Sequence, residues 1–157
     1  MEPSIGLKKE NLTSVAHALN SILADEFVLY TKTRNAHWNV EGPDFYSKHL
    51  FFEKQYGELD EIIDSIAERI RALGHYAPGS LKLFLELTHL TEKLHEQNTA
   101  EGYIKELLAD HESLVIRLRE KINEFANAFH DLGTSDFVTG LMETHEKMSW
   151  MLRSHLR

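Results

Sequence analysis

Leu12, Val15, Leu19, Ile22, Leu23, Phe27 and Tyr30 return every three to four positions, which predicts a helix over about Thr13 to Ala36 with Asn11 or Thr13 at its cap. A second helix is predicted over about 43–73. Pro43 brings a φ already set for a helix start, and Gly74 supplies the stop. Phe45, Leu50, Phe52, Leu59, Ile62, Ile63, Ile66 and Ile70 form its apolar side. The run Ala77-Pro78-Gly79-Ser80 breaks the chain, and Leu81–Leu87 reads as a short helix. Thr99 is placed to cap a third long helix, with Glu101 and Glu106 in its early turns. Ile104, Leu107, Leu108, Leu114, Ile116, Leu118, Ile122, Phe125 and Phe129 give it an apolar side, and Asp131-Leu132-Gly133-Thr134 ends it. The last helix is expected from about Ser135 to His155. Four long helices, with a long connection only between the second and third, specify an all-α four-helix bundle.

Composition narrows the class. At 157 residues, 42% hydrophobic and 27% charged, the chain reads as one globular domain over 1–157, with residues 1–10 as a short tail. There is no cysteine, so neither a disulfide framework nor a thiolate metal site is available, which fits a reducing cytoplasm. The start MEPSIGLKKENL lacks the apolar core of a secretory signal, and no apolar run approaches a membrane span. A net charge of −8 argues against general nucleic-acid affinity, which needs clustered Lys and Arg, and favours attraction of cations.

The polar residues of the second helix are the chain's most informative feature. His49, Glu53, Asp60, Asp64 and Glu68 fall within roughly 100° of one another on a 3.6-residue period, and Tyr56 shares their stripe. Solvated helix faces mix signs to gain i,i+4 pairs, whereas this one carries an imidazole and four carboxylates. The positive charges Arg69 and Arg71 sit in the last turn, where they leave these acids unpaired. Asp60 is left open between a place behind the ligands and solvent. His37-Trp38 closes the first helix. A cationic His suits a helix C-terminus, but beside this stripe His37 becomes a candidate ligand.

His49 and Asp64 lie roughly 22 Å apart along one helix. Metal–ligand bonds are about 2.0–2.2 Å, so one chain cannot bring both to one ion. An antiparallel second copy of the helix, crossing near Glu58 and Leu59, sets His49 and Glu53 of one subunit against Asp64 and Glu68 of the other, twice by two-fold symmetry. His37 can join from the end of the first helix. The pattern therefore points to a metal site shared between subunits.

The segment HWNVEGPDFYSKHLFFEKQYGELDEIIDSIAERIRALG, residues 37–74, closely resembles the ferroxidase signature of the Dps family, the mini-ferritins known as DNA-binding proteins from starved cells. The matching positions are His37, then His49 twelve residues on, Asp64 fifteen further and Glu68 four beyond that. HEKMSWMLRSHLR at 145–157 is similar to the family's closing segment, and the likeness runs from about Leu12 to Leu156. Glu53 stands where many members have Asp, so a longer carboxylate shifts the second metal position. The resemblance implies a ferritin-like bundle with a short extra helix in the connection between helices two and three. It also implies that Trp38 packs near the iron site.

From the resemblance follow expectations of function. Fe(II) binds between subunits at His37, His49, Glu53, Asp64 and Glu68, is oxidised by hydrogen peroxide or dioxygen, and is stored as ferric mineral inside a hollow shell of twelve subunits. Zn is a substitute such donors also accept. Asp136, Glu143 and Glu146 recur on one broad face of the last helix. They form either an ordinary solvated face or the acidic iron-entry pore that the resemblance implies. Glu92-x-x-His95 matches the Glu-x-x-His ligand pair of di-iron bundles, but occurs once, in a short polar segment, and reads as a coincidence. DNA-binding members carry a longer Lys/Arg-rich tail than Lys8-Lys9, which disfavours DNA as a partner. The alternatives are a nucleoid-protecting DNA binder, a cage that sequesters Zn or Mn without turnover, and a plain structural bundle.

Overall fold

The computed structural model describes residues 3–92 and 98–156. Its helices are α1 (Lys9–Asn39), α2 (Phe45–Ala72), α3 (Leu81–Leu87), α4 (Ala100–Asn127) and α5 (Leu132–Ser154). α1 packs along α2 and α4 along α5, giving two hairpins joined by the segment that carries α3. α1 also lines α3 and α4. Among the described residues the other regular pairing is an isolated parallel bridge between Glu41 and Thr99, beside the Glu41 N–H that donates to the Asn98 carbonyl at 2.9 Å. No helix among the described residues is long and apolar enough to cross a membrane. This is the all-α bundle with a short extra helix that the pattern and the resemblance predict.

α1 starts at Lys9 rather than Thr13, and neither expected cap is used. Lys8 stands at the N-cap with no side-chain bond. Asn11 instead donates to the Phe129 carbonyl at 2.9 Å, tying α1 to the turn after α4, while the Thr13 hydroxyl donates back to the Lys9 carbonyl at 3.0 Å. Long-range and back-bonding partners thus outcompete the cap. Thr99 does cap α4, accepting from the Gly102 N–H at 3.2 Å. The predicted end of that helix is in fact the start of the next. α4 stops at Asn127, and Asp131 caps α5 by accepting from the Thr134 N–H at 2.9 Å.

α2 begins two residues after Pro43, at Phe45, and ends as expected. Gly74 adopts φ +86°, its N–H reaches the Arg71 carbonyl at 3.0 Å, and the His75 N–H reaches Ile70 at 3.2 Å. These two bonds satisfy carbonyls the helix leaves open. A Cβ on Gly74 would stand 2.5 Å from Pro3 Cδ, so the N-terminal segment is seated against this turn.

The core runs down the bundle through Leu19, Leu23 and Leu29 of α1, Phe52, Leu59, Ile66 and Ile70 of α2, Leu114, Leu118 and Phe125 of α4, and Val138 and Leu152 of α5. Each such side chain contributes about 1.5–3 kcal/mol by leaving water. Three residues placed in the core by periodicity lie outside it. Ile116 is exposed because it sits about 200° from both Leu114 and Leu118 around the helix. Phe45 and Leu50 are 45% and 43% exposed, on a part of α2 where they flank His49 and no other element covers them.

Candidate metal centre

α1 and α2 bring His37 and His49 face to face. Their rings stack with centroids 3.7 Å apart and planes 21° from parallel. Each ring Nδ1 lies 2.8 Å from the other residue's backbone carbonyl, His37 Nδ1 on the His49 carbonyl and His49 Nδ1 on that of His37. A carbonyl only accepts, so both Nδ1 atoms carry the proton. In the neutral tautomer this selects, Nε2 carries the lone pair, the form in which imidazole binds a metal. His37 is 8% exposed and His49 half-buried, and the clamp exists within one chain.

The carboxylates are arranged differently. Glu53, Asp64 and Glu68 all stand on the exposed side of α2, and none has a cationic partner among the described residues. The arginines of the last turn are occupied elsewhere. Arg69 donates through Nε and Nη2 to the Thr134 hydroxyl at 3.0 and 2.8 Å and approaches Asp131 at 3.4 Å. Arg71 donates to the His75 carbonyl at 2.9 Å and lies over the Tyr76 ring. Within the single chain, no three His, Asp or Glu side chains among the described residues are grouped to hold an ion. The fold thus assembles the two histidines and leaves the acids facing outward.

An aromatic wall backs the histidines, and sequence reasoning caught it only in part. Tyr56 meets His37 edge-on with centroids 5.2 Å apart, and Tyr30 meets Tyr56 at 6.1 Å. Arg34 donates to the Tyr30 hydroxyl at 2.7 Å and lies over Tyr56, Trp38 and Tyr30 at 4.6, 5.1 and 5.5 Å. The Tyr30 hydrogen bond holds the guanidinium pKa above its ordinary value against burial, and the fields of Tyr56 and Asp60 act in the same sense. Asp60 itself is exposed on α2. Trp38 is 61% exposed on the outer side of Arg34. The i,i+4 series Tyr30–Arg34–Trp38 was the available signal for this wall.

The remaining candidates separate by position. Asp136, Glu143 and Glu146 are exposed on α5, and Glu146 pairs with Arg119 of α4 at 2.5 Å. His95 of the Glu92-x-x-His95 match lies outside the described residues.

Comparison with known proteins identifies the family and the fold. The profile of the ferritin-like domain matches residues 16–157, and the chain belongs to the ferritin-like family. Within it the chain is a Dps-type mini-ferritin. It is 45% identical over 153 residues to an uncharacterized low temperature-induced protein of Nostoc sp., covering 98% of this chain and 86% of that one. It is 39% identical over 142 residues to DNA protection during starvation protein 2 of Bacillus anthracis, covering 90% and 96%. The crystal structure of a Dps protein from Vibrio cholerae, described as a member of a broad superfamily of ferritin-like diiron-carboxylate proteins, superposes with a TM-score of 0.92 at 31% identity, covering 99% of this chain and 97% of that one.

Proposed function

We propose that this protein is an iron-oxidising, iron-storing mini-ferritin of the cytoplasm that protects the cell against oxidative damage. Its substrates are Fe(II) and hydrogen peroxide, or dioxygen, and its product is ferric mineral held inside a shell of twelve copies. The observation that carries this function is the reciprocal clamp of His37 and His49, which fixes both imidazoles with Nε2 free. The unpaired Glu53, Asp64 and Glu68 support it, because a row of carboxylates without cations on an exposed helix face has a self-repulsion that a divalent ion relieves.

In this function two copies meet by antiparallel approach of their α2 helices. His37, His49 and Glu53 of one copy and Asp64 and Glu68 of the other hold iron between them. Borderline nitrogen and hard oxygen donors suit Fe(II), and they also accept Zn(II), which makes Zn a useful non-redox probe. Iron supplies the electrons. One peroxide takes up two of them, one from each of two Fe(II), together with two protons. Its O–O bond then ends as two waters with no hydroxyl radical released. With their Nδ1 protons committed to backbone carbonyls, the clamped histidines would meet iron through Nε2. The exposed apolar side chains Phe45, Tyr46 and Leu50 beside His49 suit the same contact between copies.

The test is stopped-flow absorbance of the purified assembly, loaded anaerobically with Fe(II) and then mixed with peroxide. A ferric signal faster than in buffer is expected, with hydroxyl radical suppressed. Asp64→Ala combined with Glu68→Ala is expected to keep the assembly and lose the rapid phase. Wild-type rates in that double variant would remove the site from these residues.

A further inference from the structure

Away from the histidine clamp, one polar chain crosses the apolar interior. Glu26 of α1, His111 of α4 and His145 of α5 are all fully buried. His145 Nε2 lies 2.8 Å from Glu26 Oε1, and His145 Nδ1 lies 2.8 Å from His111 Nδ1. The ends of the chain, Glu26 Oε2 and His111 Nε2, have no hydrogen-bond partner among the described residues. Glu26 belongs to the α1–α2 hairpin and the two histidines to the α4–α5 hairpin, so the chain spans the seam between them.

Proton counting gives this arrangement its character. Each 2.8 Å contact holds one proton, donated from one side and accepted on the other. Three protons over the two imidazoles and the carboxyl satisfy both contacts and leave the unit neutral. A fourth either sets two N–H groups against each other across the Nδ1–Nδ1 contact or leaves an imidazolium with no counter-charge in a dry core. Either outcome is costly.

We propose that Glu26–His145–His111 is a proton-operated latch between the two hairpins, closed with three protons and forced open by a fourth. Among the described residues, the surroundings offer no other counter-charge. The buried polar residue of α2 is the uncharged Gln55, and α5 adds Ser149. Asp25, next to Glu26, is turned to Thr88, His89 and Arg117. Lys32 is paired with Glu106 and Asp110. Burial, then the field of His145, hold His111 well below the ordinary histidine range. A histidine whose folded pKa is depressed costs nothing above its unfolded value of 6.5, and stability is lost as pH falls below it.

The experiment is urea unfolding of the assembled protein, followed by far-UV circular dichroism at pH 7.5 and 5.5, with each variant referred to its own value at pH 7.5. His111→Gln keeps an amide against His145 but takes no charge. Its folding constant is expected to gain about tenfold on wild type over this interval, one proton's worth. Glu26→Gln removes the counter-charge and with it one proton of the folded state, so it is expected to lose about tenfold per pH unit on wild type, about a hundredfold over this interval. Changes within twofold of wild type in both variants overturn the latch. If neither variant assembles, solid-state 15N spectra of histidine-labelled wild type at pH 5.5 decide the matter. An N–H···N correlation between two imidazoles, one nitrogen bare, is expected from the His111–His145 contact, and its absence, with both of those rings fully protonated, overturns the proposal.

Discussion

Replacing Asp131 by alanine tests how the end of α2 is held. Asp131 is 3% exposed and serves three partners. Oδ1 accepts from the Thr134 N–H at 2.9 Å and so caps α5, while Oδ2 accepts from the Thr134 hydroxyl at 2.6 Å. Arg69 approaches Oδ1 at 3.4 Å. Loss of a helix cap costs about 1 kcal/mol. The Thr134 hydroxyl, fully buried, is left without an acceptor, which costs about 1–3 kcal/mol. Arg69 is partly exposed, so its long contact is discounted to about zero. The sum is about 2–4 kcal/mol. For a chain of this size each kcal/mol moves the melting temperature by about 2–4 °C, so Asp131→Ala is expected to melt about 4–16 °C lower in a thermal scan. Asp131→Asn keeps the cap and loses the second acceptor, and is expected to fall about midway. Asp131→Ala within about 2 °C of wild type, or indistinguishable from Asp131→Asn, would refute the account. The functional stake is Glu68, whose neighbour Arg69 is pinned to this cap.

Two further predictions concern the turn after α2 and nucleic acid. Gly74→Ala places a side chain at φ +86° and drives its Cβ to 2.5 Å from Pro3 Cδ, so a loss of about 1–3 kcal/mol in urea unfolding is expected unless residues 3–8 are displaced. In a gel-shift assay at about 0.15 M salt, duplex DNA is expected to run unretarded, because the net charge of −8 lacks the clustered cations that phosphate contact needs. A retarded band there would favour a nucleoid-protecting role.

The number and order of the long helices were legible in the apolar spacing and the Pro, Gly and Thr punctuation, because Gly74 and Thr99 act within a few residues of themselves, whereas the short α3 inside the connection followed from the family resemblance. Helix ends set by distant partners were not. Asn11 looked like a cap and is spent on Phe129, and Asp131 read as a helix end although its carboxylate starts the next one. At the candidate site, spacing placed His37 and His49 on elements that meet, but not the backbone carbonyls that clamp them, since that depends on how α1 lies across α2. The Glu26–His145–His111 chain carried a weak signal, two acids set into the apolar run of α1, with histidine partners more than eighty residues away in sequence.

The clamp of His37 and His49 also bears on timing. Both rings are already immobilised by their own chain, so the entropy of fixing them is spent when the bundle folds, and metal binding need not supply it. Each folded subunit, under the proposed function, carries a finished donor pair and an outward row of acids, two halves that meet only when a second copy arrives. Under the proposed function, iron chemistry then depends on subunit concentration, and a newly made, unpaired chain is inert toward iron and peroxide.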